Sequence, residues 1–379
     1  MPSPRRHLSV IAIALVLLLP ASPGGVAAGL QEPPGRVAER AILITLDGAR
    51  TEEIFGGLDL EVLRSVTKEG PVEETPTYRR YWAPTREERR AKLMPFFWGT
   101  WMAADGSIAG DRTLGSRVTL ANGHRFSYPG YSEILTGTPR DAIIDSNDQR
   151  RNPYPTVLEF LKRALGLERD GVAVFASWET FNWIVEHEEG ALTVNAGYES
   201  FDHPDPQVRT LSARQFETRT PWDNVRHDMY TFRLAMAHLA AARPRVLHLA
   251  LGETDDWAHG QRYDRTLQAL EQTDAYLEEL WRWLQADPDY RDNTAILVTV
   301  DHGRGHTPAD WHRHGADVAG AEETWLAAVG PAWPRRGAWT DAPEVTTSQV
   351  AATLARAMGQ AYRAAAPEAG AAVDYLWRE

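Results

Sequence analysis

The chain has 379 residues, of which 43% are hydrophobic and 24% charged, and its formal net charge at pH 7 is -12. This composition is typical of a soluble globular protein with one large or two ordinary domains. The negative charge argues against binding to a nucleic-acid polymer or an anionic membrane, because both attract basic surfaces. The sequence contains no cysteine, so a transition-metal site would have to use His, Asp, Glu or hydroxyl ligands.

The N-terminus has the pattern of a targeting segment. Arg5 and Arg6 precede an apolar run over residues 8–19, and small residues ending at Ala28 follow. The pattern predicts a signal peptide over residues 1–28 and export to the periplasm or the medium. The arginine pair also occurs in twin-arginine signals, but the residues after it fit only partly and the general secretory route is favoured. A membrane anchor is disfavoured, because a span needs roughly 20 apolar residues.

The first structured elements are predicted directly after this segment. Residues 41–46 (AILITL) form a strand-like run that ends at Asp47 and Gly48. Apolar residues at helical spacing then predict a helix over residues 51–67.

Residues 71–120 are irregular, with clusters of arginine and many aromatic side chains. We interpret them as an insertion in the catalytic domain, with a short strand near residues 118–120. The aromatic residues either pack against the sheet, as buried aromatics commonly do, or form a cap over a site.

Residues 126–137 (FSYPGYSEILTG) predict a short helix, since Pro129 suits a first turn and Gly137 suits a C-terminus. Ser127 would lie at the N-terminal end, where free N–H groups and the helix dipole favour anions. Ser127 is therefore a candidate nucleophile, and the alternative interpretation is an ordinary helix cap.

The rest of the chain alternates between strand and helix patterns. Strands are predicted over residues 172–177, 246–251, 296–300 and 325–329, and helices over residues 152–165, 226–242, 263–284 and 348–358. Residues 190–220 are predicted to be rich in loops. This alternation predicts an α/β fold with a doubly wound, mostly parallel sheet and helices on both faces. We expect one domain over residues 29–379, with a cap-like insertion at about residues 71–120.

Three of the predicted strands end near aspartate. Asp47, Asp255 and Asp301 follow the strands, and His259 and His302 lie close to two of them. Ligands of open α/β sheets bind at the carboxyl ends of the strands, and Asp with His is a ligand set for a divalent metal. The pattern predicts a metal site at this edge of the sheet.

Together these motifs resemble the alkaline phosphatase superfamily, in particular its nucleotide pyrophosphatase/phosphodiesterase branch. The matching pieces in order are ITLDG at residues 44–48, SYPGYSEILTG at 127–137, TDDWAH at 254–259, TVDHG at 299–303 and His-Gly at 314–315.

The resemblance implies two divalent metal ions, usually zinc, and the ligand types would also suit manganese or iron. It implies that the first ion is held by Asp47, Ser127, Asp301 and His302. It implies that the second ion is held by Asp255, His259 and His314. The family's spacing favours Asp255 over Asp256. A following glycine favours His314 over His306 and His312, which are the alternatives for the last ligand.

The resemblance also implies hydrolysis of a small phosphate mono- or diester, with Ser127 attacking phosphorus to form a phosphoseryl intermediate. Diesterase-type members carry asparagine where this chain has Gly130, so the preference between monoesters and diesters is open. Asn122 is the candidate replacement as a substrate-binding residue.

Three alternatives remain at this point. Ser127-x-Pro129 also resembles the sulfatase signature, although the arginine expected there is Tyr131. A phospho-group transferase on the same fold is a second alternative. A metal-dependent binding protein without activity is the third.

Overall fold

The structure is a computed structural model, and it describes Met1 and residues 36–378. The predicted signal peptide and its cleavage site lie outside the described residues. Within the part of the chain that is described, no helix has the length and apolar character needed to cross a bilayer.

The main sheet has eight strands in the order β10-β2-β9-β7-β1-β6-β4-β5. Five neighbouring strands are parallel: β1 (Arg40–Leu46), β4 (Val172–Ala176), β5 (Thr193–Ala196), β6 (Val246–Leu251) and β7 (Thr294–Thr299). The other three strands are β2 (Gly106–Ala109), β9 (Leu326–Val329) and β10 (Gly337–Ala338), and β9 is antiparallel to β7 and to β2. The predicted α/β fold with a mostly parallel sheet is confirmed.

Strand β1 lies between β6 and β7, and the three are aligned in register. Ile44 of β1 is paired with Leu249 of β6 and with Val298 of β7. Because all three strands run in the same direction, their carboxyl ends reach the same edge of the sheet. This alignment brings the segments after β1, β6 and β7 together.

Helices cover both faces of the sheet, and each face has its own buried apolar cluster. Buried residues on one face come from α5 (Ser127–Thr136), α6 (Val157–Ala164), α7 (Phe181–Ile184), α12 (Val350–Ala357) and α13 (Tyr362–Ala365). Those on the other face come from α1 (Thr51–Gly56), α2 (Leu60–Val66), α3 (Pro76–Tyr81), α4 (Arg86–Leu93), α9 (Asp228–Ala242) and α11 (Tyr263–Ala286). Two further α-helices of the described residues are α8 (Pro206–Arg214) and α10 (Glu253–His259), and Ala258 of α10 also belongs to the second cluster. A π-helix covers Phe97–Asp105.

One local prediction is wrong, and the segment predicted to be rich in loops also holds two short elements. The helix predicted over residues 51–67 is divided into α1 and α2, because Gly57 adopts a φ of 69° and ends the first helix. The segment predicted to be rich in loops contains β5 and α8, and Asp205 caps α8 by accepting a hydrogen bond from the backbone N–H of Gln207. Strand β5 (TVNA) has only four residues, two of them polar, so its sequence lacks the apolar run that identifies a buried strand.

Residues 71–120 are integrated into both sheets of the fold. They supply β2 to the main sheet and β3 (Val118–Thr119) to a three-stranded sheet with β8 (Glu323–Thr324) and β11 (Val345–Thr346). Tyr81, Phe97 and Trp101 are almost fully buried on one face of the main sheet. These three aromatic residues therefore pack in the core, as the first interpretation expected, and the cap-like role of the segment stays a prediction.

Candidate metal centre

Three aspartates and one histidine meet where the parallel strands end. Asp47 directly follows β1, Asp301 follows β7 after one residue, and Asp255 lies in the first turn of α10 just beyond β6. His302 is completely buried at their centre. Its Nε2 lies 3.4 Å from Asp47 Oδ1, 3.5 Å from Asp301 Oδ2 and 3.6 Å from Asp255 Oδ1.

Ser127 is the first residue of α5 and points into the same cluster. Its Oγ lies 3.4 Å from His302 Nε2, and the side chain is buried. Phe126 occupies the N-cap position of α5 and Ser127 is the first residue inside the helix, so Ser127 is not at the position of an ordinary N-cap. Gly130, one turn from the start of α5, packs against the backbone carbonyl of Asp301, which holds this end of the helix against the end of β7.

His259 and His314 complete the cluster beside Asp255. His259 lies one helical turn after Asp255 on α10, with its Nε2 3.1 Å from Asp255 Oδ2. His314 Nε2 lies 2.9 Å from His259 Nε2 and 3.9 Å from Asp255 Oδ1, and its ring stacks on the His302 ring with centroids 4.0 Å apart. The structure thus brings together all seven residues predicted as metal ligands.

The alternative histidines are held elsewhere. His306 lies between two carboxylates, with Nδ1 2.5 Å from Glu52 Oε1 and Nε2 3.4 Å from Glu323 Oε1. His312 Nε2 lies 3.5 Å from the side-chain nitrogen of Gln261. Neither side chain joins the described ligand groups, and the role of His314 as the last ligand stays a prediction that this geometry favours.

The cluster fits a pair of divalent metal ions. Asp47, Asp301 and His302 offer ligand atoms within 4.8 Å of one another, and so do Asp255, His302 and His314. Asp47 Oδ1 and Asp301 Oδ2 are buried without a hydrogen-bond partner among the described residues, although buried carboxylate oxygens are normally paired. Carboxylates and imidazoles are ligands that zinc prefers.

The charges of the cluster support the same conclusion. Burial, reinforced by Asp47, raises the pKa of Asp301 well above its usual range. Burial alone would lower the pKa of His302, but the carboxylates of Asp301 and Asp47 raise it to about 9. The raised pKa of His302, and the contribution of Asp47 to that of Asp301, reflect a concentration of carboxylates that divalent cations would neutralise.

Two residues that support the ligands were missed as functional residues in the sequence. The Tyr131 hydroxyl donates to Asp47 Oδ2 at 3.0 Å. The buried guanidinium of Arg304 contacts the Asp255 carboxylate and donates to the Asp255 carbonyl oxygen at 3.1 Å. Both residues are near predicted ligands in the sequence, Tyr131 four residues after Ser127 and Arg304 two residues after His302, but no local pattern indicates which ligand each one contacts.

Asn122, predicted to bind substrate, has internal partners. Its Nδ2 donates to Glu133 Oε2 at 2.8 Å, and its Oδ1 accepts from the backbone N–H of Arg125 at 2.9 Å. These bonds hold the loop before α5, and the substrate role of Asn122 stays a prediction.

Several solved structures share the fold of this chain. An alkaline phosphatase PafA variant has a TM-score of 0.58 at 8% identity, covering 90% of this chain and 99% of that chain. A putative sulfatase from Bacteroides thetaiotaomicron has a TM-score of 0.54 at 14% identity, covering 92% and 75%. The phosphonate monoester hydrolase SpPMH from Silicibacter pomeroyi has a TM-score of 0.52 at 15% identity, covering 89% and 76%. Identities this low show a shared fold alone, and this fold is the predicted alkaline phosphatase-like one.

The sequence comparison is more specific. No curated protein matches the chain. The family model for type I phosphodiesterase / nucleotide pyrophosphatase matches residues 147–370. The matched span begins after Asp47 and Ser127 and contains the five other predicted ligands. Because it covers more than half of the sequence, the chain belongs to the type I phosphodiesterase / nucleotide pyrophosphatase family, whose members are hydrolases of the alkaline phosphatase superfamily and typically depend on divalent metal ions.

Proposed function

We propose that the chain is an exported, metal-dependent phosphoesterase that hydrolyses a small phosphate mono- or diester through a phosphoseryl intermediate on Ser127. The observation that carries this proposal is the position of Ser127 Oγ. It lies 3.4 Å from His302 Nε2, the atom toward which the unpartnered oxygens of Asp47 and Asp301 also point. A hydroxyl at the centre of a metal-ligand set is suited to act as a nucleophile.

Two divalent ions, most suitably zinc, would supply Lewis-acid stabilisation of the phosphoryl oxygens and of the Ser127 alkoxide. The residues that would hold the first ion are Asp47, Ser127, Asp301 and His302. Those that would hold the second are Asp255, His259 and His314. Both sets consist of side chains that the fold already brings together.

Ser127 performs the covalent chemistry. Its Oγ loses a proton to solvent and attacks phosphorus in line with the leaving group, an Oγ–P bond forms, and the leaving oxygen departs with the electron pair of the broken bond and takes up a proton from solvent. A water molecule then attacks the phosphoserine, and the Oγ–P bond breaks, so that the water oxygen stays on the released phosphate or phosphate monoester and one of its protons restores the Ser127 hydroxyl. The position of Ser127 at the start of the ten-residue helix α5 favours the negative charge of the phosphoryl group.

Gly130 leaves the choice between monoester and diester open. An asparagine at this position would overlap the Asp301 carbonyl, so any further group that binds a phosphoryl oxygen must come from another part of the chain. The net charge of -12 supports a small-molecule substrate over a nucleic-acid polymer. The segment before residue 29 supports export without a stable membrane anchor.

The proposal is tested by parallel assays of the mature protein on p-nitrophenyl phosphate, bis-p-nitrophenyl phosphate, a p-nitrophenyl nucleotide ester and p-nitrophenyl sulfate, each with zinc and with EDTA. We expect EDTA-sensitive cleavage of a phosphate ester, and the ratio of monoester to diester rates gives the preference. Cleavage of the sulfate alone would indicate a sulfatase. Preferred transfer to an added alcohol instead of water would indicate a transferase.

The matched variants are Ser127→Ala and Ser132→Ala. Ser132 is buried on the same helix, and its Oγ has no hydrogen-bond partner in the described region. Ser127→Ala should lower kcat by ~10³-fold or more while zinc remains bound. Ser132→Ala should retain activity. Turnover that survives in Ser127→Ala would contradict a serine nucleophile.

A further inference from the structure

Helix α5 contacts the metal-ligand cluster at a second point, one turn after Ser127. Tyr131 is almost fully buried, and its hydroxyl donates to Asp47 Oδ2 at 3.0 Å. Side chains four residues apart lie on the same face of a helix. The helix that carries the nucleophile therefore also holds one of the predicted metal ligands.

The two carboxylate oxygens of Asp47 have different surroundings. Oδ2 accepts the hydrogen bond from Tyr131. Oδ1 is buried with no hydrogen-bond partner among the residues described, and it lies 3.4 Å from His302 Nε2. The bond from Tyr131 thus fixes the plane of the carboxylate so that Oδ1 faces the centre of the cluster.

Tyr131 is itself held by neighbours on the sheet. The Thr45 side chain, on strand β1, acts to lower the pKa of the Tyr131 phenol, which burial raises, and Thr45 Oγ1 lies 3.1 Å from Nε2 of His248. Burial lowers the pKa of His248 to about 3, so the imidazole is neutral and has one N–H to donate.

We propose that Tyr131 is a positioning residue that orients Asp47 Oδ1 toward a divalent metal ion. This inference rests on the metal centre of the proposed function. Carboxylates that bind metals are commonly held by hydrogen bonds from other residues, and loss of such a partner costs roughly 10–100-fold in metal affinity or activity.

The test compares Tyr131→Phe with Tyr128→Phe in the full mature chain. Tyr128 is equally buried on the same helix, but its hydroxyl donates to the Arg150 carbonyl oxygen at 2.7 Å. Both variants lose the hydroxyl of a buried tyrosine, so the two substitutions should change the free energy of unfolding to a similar extent. Zinc affinity is measured by equilibration against graded concentrations of a chelator, followed by metal analysis.

We expect Tyr131→Phe to bind one of two zinc ions roughly 10–100-fold more weakly, and Tyr128→Phe to bind both like the wild type. Added zinc should restore kcat in Tyr131→Phe, because Ser127 is unchanged. Thr45→Val, which removes the hydroxyl behind Tyr131, should weaken zinc binding in the same direction but less, and it provides a second variant if Tyr131→Phe does not fold.

Wild-type zinc affinity in Tyr131→Phe would overturn the inference, and so would equal weakening in Tyr131→Phe and Tyr128→Phe. A wild-type protein that binds no divalent metal would instead overturn the proposed function. The two failures are therefore distinguished by the wild-type measurement alone.

Discussion

Gly130 packs so closely against Asp301 that a Cβ on the glycine would overlap the Asp301 backbone carbonyl oxygen. The contact joins the first turn of α5 to the segment directly after β7. Ser127 and Asp301 are thereby brought to the same cluster, although they come from distant parts of the sequence. A small residue at position 130 is a requirement of this packing.

Replacing Gly130 with alanine should therefore destabilise the protein. The added methyl group would push α5 away from Asp301, and overpacking of a close contact costs about 1–3 kcal/mol. Denaturant unfolding measures the loss. Gly56→Ala is the matched control, because a Cβ on Gly56 meets no atom within 4 Å. Equal stability of the Gly130→Ala and wild-type proteins would show that the contact is not tight in solution.

The sequence predicted the strands and the candidate ligands at their ends, but it did not predict the side-chain contacts that join these ligands to distant residues. β1, β6 and β7 are apolar runs that end near Asp47, Asp255 and Asp301, so a local pattern identifies both the strands and the ligands. The contact between Tyr131 and Asp47 joins residues 84 positions apart. No local pattern reports such a contact, because it depends on how α5 docks on the sheet.

The contact made by Arg304 could not be predicted from a local sequence pattern either. It contacts the carboxylate of a residue 49 positions away, and in the sequence it is one charged residue in a glycine-rich loop.

The end of α1 at Gly57 is a different case, since a Gly-Gly pair in a helical pattern is a visible signal of a helix end. The integration of residues 71–120 into both sheets depends on long-range pairing of very short strands.

Arg304→Met should destabilise the metal-free protein by about 3–5 kcal/mol, because it leaves the Asp255 carboxylate without its buried cation. Zinc supplies positive charge at the same carboxylate. We therefore expect a larger zinc-induced rise in Tm for the variant than for the wild type. Thermal unfolding with zinc and with EDTA measures both effects.

Arg226→Met is the control for this prediction. Arg226 is also completely buried, but it donates to Asn195 and Thr231, away from the cluster. Its loss should lower Tm to a similar extent with zinc and with EDTA. A zinc-induced rise in Arg304→Met no larger than that of the wild type would argue against a link between Arg304 and the metal centre.

The identity of the last ligand can be tested by metal content. His314→Ala removes an imidazole that lies 2.9 Å from His259 Nε2, and the variant should retain one zinc ion per chain in place of two. His306→Ala should retain both ions, because His306 is held between Glu52 and Glu323. Metal analysis of dialysed protein measures the stoichiometry. Loss of zinc from His306→Ala with full retention in His314→Ala would reverse the assignment.

His306 should also make stability depend on pH. Hydrogen bonds to Glu323 and then to Glu52 raise the pKa of His306 to about 10, whereas an unfolded histidine titrates near 6.5. The unfolded chain therefore loses its proton first as the pH rises. The contribution of His306 to stability is complete below about pH 6.5 and declines as the pH approaches 10.

His306→Gln should flatten this decline, because glutamine keeps a polar side chain near the two carboxylates and does not titrate. The same two carboxylates also have arginine partners, because Arg112 pairs with Glu323 at 2.5 Å and Arg50 lies 3.9 Å from Glu52. The free energy of unfolding of the zinc-loaded protein, measured between pH 6 and 10, tests the effect. Glu52→Gln should remove part of the same slope, since it takes away one of the two carboxylates that hold the proton on His306. Slopes that are identical in the wild type and in His306→Gln would mean that the proton on His306 contributes nothing to folding in this range.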